Sequence, residues 1–315
     1  MTEIDDFPYK RLTFNPSQMD IELGLQQTII RQADGLSTLT LPEGYEWKYK
    51  NIKNLACVTS DEAYNNVNKL TDYFSEPARI RANVKGYPSV LEYWHQNKYI
   101  IKKQYTDVYN LREYIFKNTK EATLFKISAT YALLNYLGSE KVLDPSAGCG
   151  DRLLGACFAP GVKVYNGIDP NSALTEPYQD MLSYMGLTQY NVNFNVLTQD
   201  FLKVIVPDSY DTVFTSPPFY DFEIYSDESS QSITGINSFE EWINKFYAPY
   251  LTKAYSSLTK EGKMCLYVSD NNTIRGFTNA TINIMNKLGA KYEGVIAIVN
   301  ADLKRPFPLW IWSKP

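Results

Sequence analysis

The sequence predicts an α/β protein built on a doubly wound, mostly parallel sheet, with a less regular extension before it. Three observations point that way. From about residue 116 onward, short apolar runs alternate with stretches of helical periodicity, the pattern of strands joined by crossover helices. A Gly-x-Gly turn, Gly148 and Gly150, directly follows the first such run. The first four runs also end in acids, glycine or proline, along the edge where open parallel sheets hold their ligands.

Residues 1–75 carry short apolar runs broken by turn signals ("NPSQ", "LPEGYEW") and show no repeat. Between Arg79 and Lys120 nine basic residues face only three acids, Glu92, Asp107 and Glu113, in a chain whose net charge is −4. Tyr87, Tyr93, Trp94, Tyr99, Tyr105, Tyr109 and Tyr114 are interleaved with them. Such a stretch suits phosphate contacts and base stacking, or equally a solvated face over a tyrosine-rich core. The change of pattern sets a boundary near residue 115. Residues 1–115 are then an accessory or substrate-recognition region, and residues 116–315 form the sheet domain.

Within 119–141, Leu124, Ile127, Tyr131, Leu134 and Leu137 recur at helical spacing and Gly138 reads as the C-cap. "KVLDPSAG" is the first strand and its turn, and "DRLLGACFA" is a helix. "PGVKVYNGIDP" holds a second strand ending at Asp169, and "ALTEPYQDMLSYMG" is the next helix. "YNVNFNVLTQD" is a third strand ending near Asp200, and "YDTVFTSPP" a fourth that stops where Pro217 and Pro218 cannot donate to a ladder. A long helix then opens on a capping box, Ser238 and Glu241, and buries Trp242, Phe246, Tyr250, Leu251 and Tyr255. "EGKMCLYVSD", a helix at "ATINIMNKLGA", and the closing strands "EGVIAIV" and "PLWIWSK" bring the sheet to seven strands.

Composition narrows the chemistry. With 44% hydrophobic and 21% charged residues the chain can bury a sizeable core. The acidic, polar start has no apolar leader and no run is long enough to span a membrane. Four scattered cysteines fit a reducing, cytoplasmic setting and give neither a disulfide framework nor a zinc site. His95 is the only histidine, so no histidine-based metal centre or catalytic triad is expected.

The strand ends describe a ligand. Gly148 and Gly150 have the spacing of a phosphate-cradling turn, but Leu153 stands where a dinucleotide fingerprint needs its third glycine. Asp169 is placed to accept from the two hydroxyls of a ribose, and Asp200 from an adenine amino group. Together they ask for a nucleoside without a pyrophosphate.

"DPSAGCG", "GIDPN", "TQD" and "TSPPF", in that order, resemble the S-adenosylmethionine-dependent DNA amino-methyltransferases of the N4-cytosine and N6-adenine type. The match covers roughly residues 140–315. The resemblance implies a Rossmann-like methyltransferase sheet, S-adenosyl-L-methionine as cofactor, DNA as the leading partner, and no metal. It implies cofactor contacts at Asp144, Pro145, Ser146, Ala147, Gly148, Gly150, Asp169 and Asp200, and a catalytic corner of Ser216, Pro217, Pro218 and Phe219. Two features depart from the pattern. Asp151 and Arg152 stand where many members have small hydroxyl residues, and the upstream motif is faint around Thr123 and Phe125.

An exocyclic base amine is a poor nucleophile because its lone pair is conjugated into the ring. The Ser216 hydroxyl and the Pro217 carbonyl can accept from the amine hydrogens, and the prolines fix that carbonyl in place. Phe219 can stack on a base taken out of its helix. Serine at the first corner position leans towards cytosine N4. No Pro-Cys pair exists to serve attack at cytosine C5. The acidic, Ser-rich stretch after the corner, residues 220–237, reads as a lid or as a surface loop. An RNA-directed enzyme of the same chemistry, or a non-catalytic nucleic-acid-binding module, are the alternatives.

Overall fold

Each apolar run bounded by acids or prolines becomes a strand, and each helical period a crossover. A computed structural model describes residues 6–14, 17–26, 30–32, 42–43, 45, 55–57, 62–187, 193–207, 209–270, 274–298 and 307–315. The first part comprises α1 (Gln18–Gln26), β1 (Ile30–Gln32), β2 (Leu55–Cys57), α2 (Glu62–Arg79), β3 (Asn83–Val84), α3 (Val90–Gln104), α4 (Val108–Asn118) and α5 (Ile127–Leu137). Then come β4 (Lys141–Asp144), α6 (Asp151–Phe158), β5 (Val164–Ile168), α7 (Thr175–Tyr184), β6 (Phe194–Leu197), β7 (Tyr210–Thr215) and β8 (Glu223–Ile224). The chain closes with α8 (Phe239–Trp242), α9 (Ala248–Ser256), β9 (Leu258–Tyr267), α10 (Phe277–Lys287), β10 (Lys291–Ile298) and β11 (Phe307–Ser313).

Seven of these strands form one sheet in the order β10-β11-β9-β7-β4-β5-β6. The pairs among β9, β7, β4, β5 and β6 are parallel, and β11 runs antiparallel to both its neighbours. The chain winds outward from β4 to β6, then returns to place β7 on the other side of β4. The reversal point therefore lies between β4 and β7, and their carboxyl ends diverge into a crevice.

The strands are apolar on both faces because helices cover both. Val142, Tyr165 and Phe214 face one core, shared with Leu153 and Leu154 of α6 and Leu133 of α5. Their neighbours Leu143, Ile168 and Val213 face the other, shared with Tyr250, Leu251 and Ile282. Ile21, Leu25, Val67, Leu70 and Phe74 of α1 and α2 belong to the first of these cores. Phe7, Trp94, Ile101, Leu111 and Ile115 form a third cluster under α3 and α4.

Three elements differ from the sequence expectation. The helix before β4 starts at Ile127, so Leu124 is outside it; residues 120–126 run without regular structure, and the helix ends at the αL cap Gly138. The long helix after Ser238 is interrupted by a π-turn, Ile243–Tyr247, in which the Ala248 N–H reaches back to the Ile243 carbonyl. Pro249 follows immediately; it has no N–H and its ring would strike the carbonyl four residues back, and the widened turn relieves both defects. The extra residue advances the helix face: Tyr247 is fully buried, and Phe246 is only partly so. Finally, the stretch after the Ser-Pro-Pro corner is not a free loop throughout, since β8 pairs antiparallel with β3.

Helices α5 and α6 approach so closely that Gly155 has no room for a side chain. A Cβ there would lie 2.8 Å from the Ile127 carbonyl and 2.7 Å from Thr130 Cγ2. Gly155→Ala should cost about 2 kcal/mol of stability, read as a lowered urea midpoint at unchanged slope.

Candidate functional site

A cavity of about 580 Å³ opens in the crevice at the carboxyl edge of the sheet. Four strand ends line it: Pro145, Ser146 and Gly148 after β4, Asp169 after β5, Asp200 after β6, and Ser216, Pro218 and Phe219 after β7. Those sequence-predicted residues are thus brought to one surface. Asp144, Ala147, Gly150 and Pro217 are buried behind it and do not line it.

Asp144 closes β4 with no exposed surface. Its Oδ2 accepts from Arg152 Nε at 2.7 Å and from the Tyr165 hydroxyl at 2.8 Å, and its Oδ1 from the Ser146 N–H at 3.3 Å. Arg152 also donates to the Ser146 carbonyl and lies beside the rings of Phe125 and Phe214. Arg152 is therefore the buried counter-ion of the loop that follows β4. Burial alone would lower the Arg152 pKa, but Asp144 and Asp151 hold it above its ordinary value. Gly150 adopts φ +88 as it enters α6, and a Cβ there would meet Met181 Cε at 2.8 Å. The loop between is tied from outside: Ser75 of α2 donates to the Cys149 carbonyl at 2.6 Å, and the Tyr178 hydroxyl donates to the Gly148 carbonyl.

Asp169 accepts from the Gly148 N–H at 2.9 Å through Oδ2 and from the Asn171 N–H at 3.0 Å through Oδ1. Burial pushes its carboxyl up to about 6 against the lowering effect of those two bonds. Each oxygen keeps a lone pair directed elsewhere, the acceptor capacity a diol requires. Asp200 accepts from the Leu202 N–H at 2.9 Å and pairs with Lys203 at 3.1 Å.

At the corner the Ser216 hydroxyl has no intramolecular partner among the described residues. Phe219 is braced edge-on by Phe277, with ring centres 5.4 Å apart. Tyr250 joins the two loops of the crevice, its hydroxyl 2.7 Å from Ser146 Oγ and 3.3 Å from Thr215 Oγ1.

Several lining residues carry no local sequence signal of a site. Phe201, Phe246 and Tyr250 form an aromatic wall, with centroids 5.2 Å apart for Phe201–Tyr250 and 5.5 Å for Phe246–Tyr250. The sequence marks Phe246 and Tyr250 as helix-face residues only. Glu223, carried in by β8, accepts from the Thr123 N–H at 3.1 Å and from the Tyr225 hydroxyl, and burial raises its pKa. Asp151 also reaches the cavity, its carboxyl pushed up to about 6 by burial. Cys149 is there too, but burial pushes its thiol up to about 12, so it stays protonated and a poor nucleophile at neutral pH.

The basic stretch divides. Arg79 and Arg112 are buried in an ion cluster: Glu121 lies 2.5 Å from Arg79 and also pairs with Arg112, while Glu76 lies 3.1 Å from Arg112. Burial would raise the Glu121 pKa, yet Arg79, Arg112 and Lys10 hold it well below the usual carboxylate range. Lys98 and Lys102 both pair with Asp6, and Lys85 pairs with Asp221. Trp94 is core, whereas Tyr87, Tyr99 and Tyr109 are exposed. No helix among the described residues is long and apolar enough to cross a membrane.

No family model matches the chain, and no curated protein matches it. Among solved structures, magnesium protoporphyrin IX methyltransferase from Synechocystis PCC 6803 with bound SAM is 14% identical, over 60% of this chain and 78% of that one, at a TM-score of 0.42. A methyltransferase from Pyrococcus furiosus is 18% identical over 60% and 82%, at 0.38. The tRNA m1G37 methyltransferase of M. jannaschii is 13% identical over 61% and 51%, at 0.40. The fold itself is read from the strand order and directions above.

The ion pair behind the cavity can be tested directly. Arg152→Met leaves the Asp144 carboxylate buried without a cation and should cost about 3–5 kcal/mol. Adding Asp144→Asn to that variant should recover part of the loss. Urea unfolding of both variants measures it.

Proposed function

We propose that this protein is an S-adenosyl-L-methionine-dependent methyltransferase acting on the exocyclic amine of a nucleobase in DNA, at cytosine N4 or adenine N6. One observation carries the reading: the Ser216 hydroxyl, without an intramolecular partner among the described residues, shares a cavity with a half-buried acceptor, Asp169, across the reversal point of the sheet.

The residues present fit the cofactor. Asp169 has acceptor capacity for two ribose hydroxyls, and Phe201, Phe246 and Tyr250 offer an aromatic wall for an adenine, with Asp200 in the same cavity. Asp151 and Glu223 supply negative charge for an ammonium. S-adenosyl-L-methionine, when bound, supplies a methyl group on a sulfonium already activated for displacement.

The chain's own residues then act on the acceptor. Ser216 Oγ accepts from the amine, drawing its nitrogen towards a pyramidal shape with a lone pair free to attack. Pro217 and Pro218 hold the main chain at that point, so the acceptor needs no reorganisation during the reaction. Phe219, fixed by Phe277, gives the base an apolar surface. The amine proton leaves to water. With its thiol held protonated, Cys149 is a poor candidate for covalent attack on the base.

Labelled methyl transfer to duplex DNA, single-stranded DNA and RNA, with nucleosides identified by mass, tests this. N4-methylcytosine or N6-methyladenine in DNA is the expected product; label on RNA alone would replace the substrate assignment. Ser216→Ala should lose about 10²-fold in kcat and keep cofactor affinity; full activity would remove the corner from the mechanism.

Asp169 also sets a pH dependence. Hydroxyl donors favour the ionised carboxylate, which predominates above about 6 and is lost below it. Cofactor affinity should therefore be full at pH 7–8 and fall up to about tenfold per unit below 6. Isothermal titration against pH should show that fall in the wild type, and Asp169→Asn should be weak throughout with the fall diminished.

A further inference from the structure

One cation at the cavity mouth has no internal ion pair among the described residues. Lys120 lines the cavity and is exposed, and among the described residues its ammonium has neither a carboxylate partner nor a hydrogen-bond acceptor. Lys85, which also lines the cavity, pairs with Asp221 at 2.5 Å. Glu223 feels the charge of Lys120, but its oxygens are engaged by the Thr123 N–H and the Tyr225 hydroxyl.

The position of Lys120 is built rather than incidental. Its ammonium sits 5.2 Å from the centre of the Phe222 ring and 5.8 Å from that of Tyr87. The residues on either side are anchored. Thr119 is buried and donates its hydroxyl to the Ile115 carbonyl at 2.9 Å, and Glu121 is locked among Arg79, Arg112 and Lys10. A flexible lysine is thus mounted on a fixed main chain and held near two rings, with no carboxylate paired to it among the described residues. Tyr87 is 49% exposed, and Lys120 itself is exposed, so the ammonium is accessible to solvent.

We propose that Lys120 holds a phosphodiester of the nucleic acid next to the nucleotide that enters the cavity, with Tyr87 and Phe222 fixing the lysine's direction. This rests on the reading of the site as acting on a nucleobase. It gives the only part of the 79–120 basic stretch that both lines the cavity and lacks an internal ion pair among the described residues a role in substrate binding.

The test uses the full chain and a fluorescent oligonucleotide that the wild type methylates. Binding is followed by anisotropy across a salt series. Lys120→Gln should weaken binding about tenfold and reduce the slope of log K against log salt by about one. Lys120→Arg should keep both, and unchanged melting temperatures would show the variants folded. Replacing single phosphates flanking the target base by neutral methylphosphonates should lower wild-type binding to the Lys120→Gln level at one position, with no further loss in the variant. An unchanged salt slope, or methylphosphonate losses that add to the Lys120→Gln loss at every position, would overturn the assignment while leaving the methylation reading intact. A wild type that methylates no nucleic acid would overturn both.

Discussion

The site depends on one buried ion pair. Asp144 and Arg152 sit eight residues apart, at the end of a strand and in the first turn of a helix, and neither has a solvent alternative. Their contact bends the intervening loop into a fixed shape whose outer surface carries Ser146 and Gly148. Tyr165 and the Ser146 N–H complete the carboxylate's partners, so the charge is satisfied as well as neutralised. Buried pairs of this kind add little net stability compared with apolar packing. Their value is that no other loop conformation satisfies both charges.

What could be read from the chain alone was whatever local chemistry dictates. Pro217 and Pro218 stop β7 after Thr215, Asp144 closes β4, and Asp169 and Asp200 follow β5 and β6, because each breaks a strand by its own nature. The sheet's order and direction then bring those endings together. Gly138 closes α5 in the left-handed region for the same local reason. The tyrosine-rich basic stretch was ambiguous because sequence does not say which cations find partners; the structure pairs Lys98 and Lys102 with Asp6, and puts Arg79 and Arg112 with Glu121.

What could not be read depends on contacts between distant segments. Arg152 looked like a departure from a pattern because its partner's burial is a tertiary fact. Residues 120–126 carry helical spacing at Leu124 and Ile127, yet the Glu121 ion cluster and the Thr123–Glu223 bond hold them along the cavity instead. Phe246 and Tyr247 exchange the places a regular helix would give them, because Pro249 imposes a wider turn just before it. Periodicity measures a helix's apolar face, and a single π-turn changes which residues make up that face.

The small β3–β8 ribbon has a further bearing, on the order in which the chain assembles. It joins a segment upstream of α3 to the residues just past the Ser-Pro-Pro corner, and the Lys85–Asp221 pair beside it spans 136 positions. Loop-closure entropy opposes contacts of that range until most of the intervening chain is already compact. The parallel strands and their helices can settle first, while the wall formed by Phe222 and Glu223 closes only when the amino-terminal segment docks against it. Refolding of the complete chain should thus form the sheet before the cavity, with completion of the pocket as a late event.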